Sequence, residues 1–337
     1  MKNIKLKKTI SIILALATVF FVGALSACKD DSNMEDTDTV NNNNQKPENT
    51  ADNSATGNEG FADTLNWDTA KPVYKVLSAN VLGIWSSSKP EVVATAQSKM
   101  DTIVNYINTV KPDSVAVQEY GNYNKKYLNT DTLDGYKMFE SSNNGNMMPM
   151  FYRDIYSIAD SGCISIQVRV GYNPVSFSWM VLENADGTLA YIHGNLHLDY
   201  GKAGTDEHKR VYQCELINAE LGKIFASNAE YKTIPLILTG DYNTKVNDPD
   251  ADAIFGTLIG DYSIENVLDV AESAEKGLAT YHSAPGKLPT GDQPIDHALV
   301  NSQSTRVLTH NIITDDDWDG MLDASDHYPI LIEMTAK

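Results

Sequence analysis

Two β-sheets packed face to face, with helices on their outer sides, are the architecture the sequence predicts, and three observations carry it. Between residues 73 and 120 strand-like and helix-like patterns alternate; from 148 to 200 strands follow one another without helices; after 206 a helix and a strand alternate again. Helix-linked strands lie parallel and hairpin-linked strands lie antiparallel, so a chain with both kinds of link builds mixed sheets that need helical cover.

The elements follow in order. VYKVLSANV (73–81) is β-rich, and EVVATAQSKMDTIVNYINTV (91–110) places apolar residues at helical spacing between Pro90 and Lys111-Pro112. DSVAVQEY (113–120) reads as a strand that breaks into polar residues. MPMFYRDIYSIADSG, ISIQVRV, VSFSWMVLE and TLAYIHGNLHLDY, separated by turns such as Ala185-Asp186-Gly187, suggest antiparallel hairpins. DEHKRVYQCELINAELGKIFASNA then reads as a helix, TIPLILTGDYN as a strand, and PIDHALV and HYPILIEM as two more. The chain shows no internal repeat.

The N-terminal residues set the expected compartment. Residues 1–28 carry four lysines, an apolar stretch and small residues before a cysteine, the layout of an export signal. Their ending, LSAC, resembles a bacterial lipobox, in which Cys28 is acylated and becomes the mature N-terminus; the alternative is an uncleaved membrane anchor with Cys28 as a bystander. Residues 29–66 are rich in Asn, Asp, Thr and Ser and cannot bury enough apolar surface to offset chain entropy, so an acidic disordered tether is expected there. Residues 67–337 are then expected to be the folded domain, extracytoplasmic and held to a membrane by the lipid anchor, with a monomer as the default expectation.

Charge divides the same way. The net charge of −19 includes four lysines in 1–28, and nine acids against two lysines in 29–66, which leaves −16 on residues 67–337. Such a domain lacks the basic footprint of a general nucleic-acid binder, although bound divalent cations compensate acidity locally. Lys125-Lys126, Lys202 and Lys209-Arg210 are the local candidates for phosphate-backbone contacts. After Cys28, Cys163 and Cys214 remain, and two buried thiols are expected rather than a disulfide.

Polar side chains gather where the strands end: Asn80, Glu119, His197, Asp241 with Asn243, Asp296, and Asp326-His327. Each alone has an ordinary explanation in a turn. Together they form a set of hard oxygen donors and imidazoles, and oxygen donors such as Glu119, Asn80 and Asp326 suit Mg²⁺ with substrate phosphate. Residues two apart on a pleated strand share a face, so Asp241 and Asn243 are expected to converge while Tyr242 turns away.

The ordered motifs SANVLG, VQEYG, GNLHLD, TGDYNT, PIDHALV and SDHYPI resemble the endonuclease/exonuclease/phosphatase superfamily, related to DNase I, neutral sphingomyelinases and inositol polyphosphate 5-phosphatases. The resemblance runs from about Tyr74 to the C-terminus, with MFYRDIYSIADSG as the strand pair before the histidine motif and TYHS as the lead-in to PIDH. It implies a four-layered α/β/β/α sandwich with the active site at one end of the two sheets. It also implies Glu119 as the principal Mg²⁺ ligand (Mn²⁺ being the alternative metal), with Asn80 beside it and Asp326 sharing the metal. Asp241 would orient or deprotonate the attacking water, and Asn243 would hold that water or a phosphate oxygen. His327 paired with Asp296 would stabilise the pentavalent transition state, and His197 would contact a phosphate oxygen or protonate the leaving group. Position 297 is His where the family commonly has an aromatic residue, and His297 and His193 are read as core or supporting histidines; His282 is close enough in sequence to Asp296 to line the pocket.

The expected activity is metal-dependent hydrolysis of a phosphodiester or phosphomonoester, leaning towards lipid-headgroup or small-molecule substrates. Two alternatives stay open, an extracellular nuclease acting on DNA or RNA and a catalytically silent surface binding protein of the same fold.

Overall fold

The computed structural model describes residues 71–140, 148–166, 175–201, 207–259 and 262–337, all of them within the second of two units, Leu65–Lys337, into which the chain divides. The expected signal, Cys28 and the whole of the expected tether therefore lie outside the described residues, as does Lys202. Among the described residues no helix is long and apolar enough to cross a membrane.

Thirteen strands are described: β1 (Tyr74–Asn80), β2 (Ser114–Gln118), β3 (Tyr136–Phe139), β4 (Met150–Arg153), β5 (Ser157–Ile166), β6 (Val175–Glu183), β7 (Leu189–His197), β8 (Leu236–Asp241), β9 (Ile264–Asn266), β10 (Ser273–Ala274), β11 (Asp296–Asn301), β12 (Thr305–Ile312) and β13 (Ile330–Ala336). The helices are α1 (Pro90–Ala94), α2 (Ala96–Val110), α3 (Asn124–Tyr127), α4 (Glu207–Ser227), α5 (Ala251–Ile259), α6 (Val267–Val270) and α7 (Met321–Ala324). One sheet runs β10-β12-β13-β1-β2-β4-β3 and the other β5-β6-β7-β8-β11-β9. Both are mixed, with β1 parallel to β2 across the α2 crossover, β7 parallel to β8 across α4, and the remaining core pairs antiparallel. These are the two face-to-face sheets with outer helices that the sequence predicts.

Strand alternation decides what meets between the sheets. Ser114 and Gln118 of β2 face inward: Gln118 Nε2 donates to Asn195 Oδ1 of β7 at 2.8 Å, and Ser114 Oγ lies 2.8 Å from His193 Nδ1. By the same period of two, Ser78 and Asn80 of β1 face inward and Leu77 and Ala79 outward, and Gln118 Nε2 reaches Ser78 Oγ at 3.1 Å. The outer face of the second sheet is apolar. Phe177, Val181, Ile192 and Leu196 cluster there with Ile217, Leu221 and Ile224 of α4 and with Ile254 and Leu258 of α5. Met100, Ile103 and Ile107 of α2 join the larger cluster that contains β1, β2 and β13.

Three expectations change. The helix over 91–110 is two helices, broken at Thr95. MPMFYRDIYSIADSG is not a hairpin: β4 joins the first sheet beside β2 and β3, the chain turns at Asp154, and β5 begins the second sheet. The crossing is tied by Asp113, whose carboxylate accepts from the Tyr156 hydroxyl at 2.9 Å and the Lys75 N–H at 2.8 Å. Strand β12, which the sequence reading missed, separates PIDHALV from HYPILIEM and pairs with β13. Cys163 and Cys214 are not bridged to each other; Cys214 is buried as expected, whereas Cys163 is half-buried.

Candidate active site

Backbone register alone aligns half of the site. His197, the last residue of β7, stands opposite Asp241, the last of β8, and Asp241 stands opposite Asp296, the first of β11. Residues at matched positions on neighbouring strands project to one face, so an imidazole and two carboxylates form a row across the end of the second sheet. This needs β7 and β8 to approach closely just before the row. Gly240, at φ +151°, makes that possible, because a Cβ there would sit 1.8 Å from the Leu196 carbonyl oxygen.

The first sheet supplies the facing half. Asn80 and Gln118 end β1 and β2 in register, and Glu119 follows in the left-handed region at φ +57°. A non-glycine residue held there is strained, and such strain collects at functional positions. Here it turns the Glu119 carboxylate towards Asn80, whose Nδ2 donates to Glu119 Oε1 and to Asp241 Oδ2, each at 3.2 Å. Asn80 thus bridges the two sheets. Its Oδ1 accepts the Leu82 N–H at 3.2 Å, so the amide nitrogen is the atom turned to the carboxylates.

The last piece arrives from the loop before β13. The Ser325 hydroxyl donates to the Asn80 carbonyl at 2.7 Å, and the Asp326 carbonyl accepts the His282 N–H at 2.9 Å. These clips seat His327, whose Nδ1 lies 2.8 Å from Asp296 Oδ2 and whose Nε2 lies 3.8 Å from Asp241 Oδ2. His197 Nε2 comes within 3.5 Å of the same Asp241 oxygen. Glu119, His197, Asp241, Asn243, Asp326 and His327 all line one cleft of about 510 Å³, with Tyr200, Gly201, Tyr281 and Ile295 completing its wall.

The electrostatics follow from burial and opposed charges. Burial lifts the Asp241 carboxyl to about 6, with Asp296 adding to the effect and His327 and His197 opposing it. Burial would lower the His327 imidazolium, but Asp296, helped by Asp241 and Asp326, outweighs it and holds His327 up at about 10. Burial also pushes Glu119 up; His197, the Gly83 N–H, Asn80 and His327 together prevail and leave it below the usual carboxylate range. Asp326 stays raised, through burial, with His327 opposing and Glu119 adding its repulsion.

Two carboxylates, Glu119 and Asp326, therefore share a cleft whose described lining holds no Lys or Arg. That donor set fits a hard divalent cation. Asp241, Asp296 and His327 also offer ligand atoms within 4.8 Å of one another, but His327 Nδ1 is committed to Asp296. This trio is better built to orient and charge an imidazole.

Asp241 and Asn243 do meet in the cleft, though not by the pleat. β8 ends at Asp241, and Asn243 lies at φ +50° in a turn closed by its own N–H donating to Asp241 Oδ1 at 2.8 Å. Its Nδ2 donates to the Leu198 carbonyl at 2.9 Å. Tyr242 turns away and packs on Phe255 and His297. His297 bonds the Thr244 carbonyl and His193 sits between Ser114 and Thr239, so both are core residues, as read. His282 is buried against Tyr328, and its neighbour Tyr281 lines the cleft instead. Asn124 escaped the sequence reading: fully buried, it accepts the Ile84 and Gly121 N–H groups and donates to the Val81 carbonyl, which ties the loop after Asn80 to the loop after Glu119.

No protein-family model and no curated protein sequence matches the chain. Solved structures do. An endonuclease/exonuclease/phosphatase from Bacteroides vulgatus superposes with a TM-score of 0.63 at 20% identity, covering 79% of this chain and 100% of its own. A family protein of the same description from Bacteroides thetaiotaomicron gives 0.63 at 18%, covering 79% and 96%. A mannosyl-6-phosphatase from Bacteroides thetaiotaomicron gives 0.60 at 19%, covering 77% and 99%. The chain has the fold of the endonuclease/exonuclease/phosphatase proteins.

Proposed function

We propose that the chain is a divalent-metal-dependent phosphoester hydrolase, exported and lipid-anchored, that acts on lipid-headgroup or small-molecule phosphoesters. One observation carries the chemistry: Asp241 Oδ2 lies within 3.5 and 3.8 Å of two histidine Nε2 atoms, one of them fixed by Asp296, facing the Glu119 and Asp326 carboxylates in one cleft. The fold likeness to phosphatases supports it.

Glu119 and Asp326 would hold Mg²⁺ or Mn²⁺, which supplies neutralisation of charge on the phosphate oxygens; Asn80, expected as a further ligand, turns its Nδ2 donor to Glu119 and instead orients that carboxylate. Asp241 orients a water and takes its proton as the water oxygen bonds to phosphorus in line with the leaving group. Asn243 steadies that water. His327, held charged by Asp296, stabilises the five-coordinate phosphorus, and His197 gives a proton to the departing oxygen as its bond to phosphorus breaks.

The cleft argues for small substrates. A nuclease groove needs cations for the backbone, and Arg210 is buried against Asp250 while Lys125 and Lys126 lie over Tyr120 and Tyr123, away from the cleft lining. The test is phosphate or headgroup release by the full chain in detergent from sugar phosphates, sphingomyelin and phosphoinositide vesicles, with supercoiled plasmid alongside. Release that needs Mg²⁺ and disappears in EDTA and in Asp241→Asn is expected. Plasmid nicking with the same dependence would transfer the reading to a nuclease. Silence on every substrate would leave the binding protein.

The lipid anchor has its own measurement. Growth on labelled palmitate should label the chain, and Cys28→Ser should abolish the label; label retained in the variant rejects the anchor.

A further inference from the structure

Arg210 is the largest fully buried side chain described, at 1% exposure. Its Nη2 donates to Asp250 Oδ2 at 2.7 Å, and its Nη1 donates to the Asp199 and Gly201 carbonyls, each at 3.3 Å. Gln213, three residues along α4 and so on the same helix face, offers Oε1 to the Asp199 N–H at 2.8 Å. The helix therefore grips the segment that leaves β7 by both kinds of main-chain group. On its other side that segment is tied to the end of β8: the Leu198 N–H donates to the Asp241 carbonyl at 2.9 Å, and the Leu198 carbonyl accepts from Asn243. Between these holds lie Tyr200 and Gly201, which wall the cleft.

Stability explains this arrangement poorly. Arg210 Nε, Gln213 Nε2 and Asp250 Oδ1 are buried without a partner among the described residues, and a buried ion pair left short of hydrogen bonds is commonly a weaker stabiliser than apolar residues of its volume. The carbonyls it holds explain it better.

We propose that Arg210, seated by Asp250 and assisted by Gln213, is a positioning residue that fixes the Asp199–Gly201 wall and so determines how the substrate's leaving group is seated beside His197. The proposal rests on the phosphoesterase reading, and Arg210 itself touches no substrate.

The experiment compares the full chain with Arg210→Lys, with Gln213→Met, and with the double variant Arg210→Met/Asp250→Leu, which removes both charges and strands neither. Steady-state hydrolysis of p-nitrophenyl phosphate, normalised to folded protein, is read beside amide hydrogen exchange. A seated wall predicts KM raised about tenfold with kcat held within about threefold, and faster exchange confined to residues 198–201 while α4 and β8 keep their protection. A merely structural Arg210 would lower melting temperature and active fraction with KM unchanged, which overturns the proposal. If the parent chain hydrolyses neither p-nitrophenyl phosphate nor any substrate of the panel above, the phosphoesterase reading fails, and the exchange data decide the clamp by themselves: unaltered protection at 198–201 rejects it.

Discussion

Asp241 Oδ2 has Asn80 Nδ2 at 3.2 Å, His197 Nε2 at 3.5 Å and His327 Nε2 at 3.8 Å, three nitrogens around one carboxylate oxygen. Their usefulness depends on His327 staying oriented, and Asp296 does that through Nδ1. Asp296→Asn keeps the size of the side chain and the Thr280 contact to the Asp296 N–H at 3.1 Å, but removes the charge that fixes the tautomer. Loss of the analogous orienting charge in a hydrolase triad costs on the order of 10⁴ in turnover; kcat reduced by at least about 10²-fold, with an unchanged circular dichroism spectrum, is expected. Residues of this kind are legible in sequence because a polar side chain closing an aliphatic strand is conspicuous. Asn124 and Arg210 are not. An asparagine in GNYNKK resembles any turn residue, and an arginine beside Lys209 resembles any helix surface until α5 places Asp250 over it.

At the level of elements, β7 and β8 approach each other closely at Gly240. Alanine there would need to clear a backbone carbonyl at 1.8 Å, and backbone cannot rotate aside as a side chain can. Overpacking together with an unfavourable φ should cost roughly 3 kcal/mol, lowering the melting temperature by about 6–12 °C in a domain of this size; a Gly240→Ala variant within about 2 °C of the parent would refute the need for contact. Long periodic elements such as α2 and α4 could be read directly. Strand β12 could not, since Thr305, Thr309 and His310 interrupt its aliphatic pattern, and α5 hides behind the Asp- and Pro-containing stretch NDPDAD. The sheet change between β4 and β5 is set by Asp113, forty residues distant, and no local pattern announces it.

For the molecule as a whole, buried neutral histidines set its response to acid. Burial holds His193 down to about 3 and His310 down to about 4, and lowers His297 as well. In the unfolded chain these groups take up protons below about pH 6.5, whereas the folded protein refuses them, so stability present above that pH is lost as pH falls towards 4. His193 and His310 each contribute about 2 kcal/mol of loss between pH 6.5 and 5. Urea unfolding at pH 7.5 and 5.0 should show the drop, and His193→Gln should shrink it; an identical drop in the variant would assign the acid response elsewhere.

The seven-stranded sheet has a further consequence. Strand β1, at the start of the described fold, has β13, the last strand, as one of its two neighbours, pairing Tyr74 with Met334. A ribosome delivering this polypeptide therefore leaves a gap in the middle of the sheet until residues 330–336 emerge. A product that ends before residue 326 also lacks Asp326 and His327. Until β13 is made, the growing chain has no complete sandwich to close upon. For the exported protein proposed above, that delay is an advantage, because a translocation channel admits an open chain and the catalytic end is assembled only after passage.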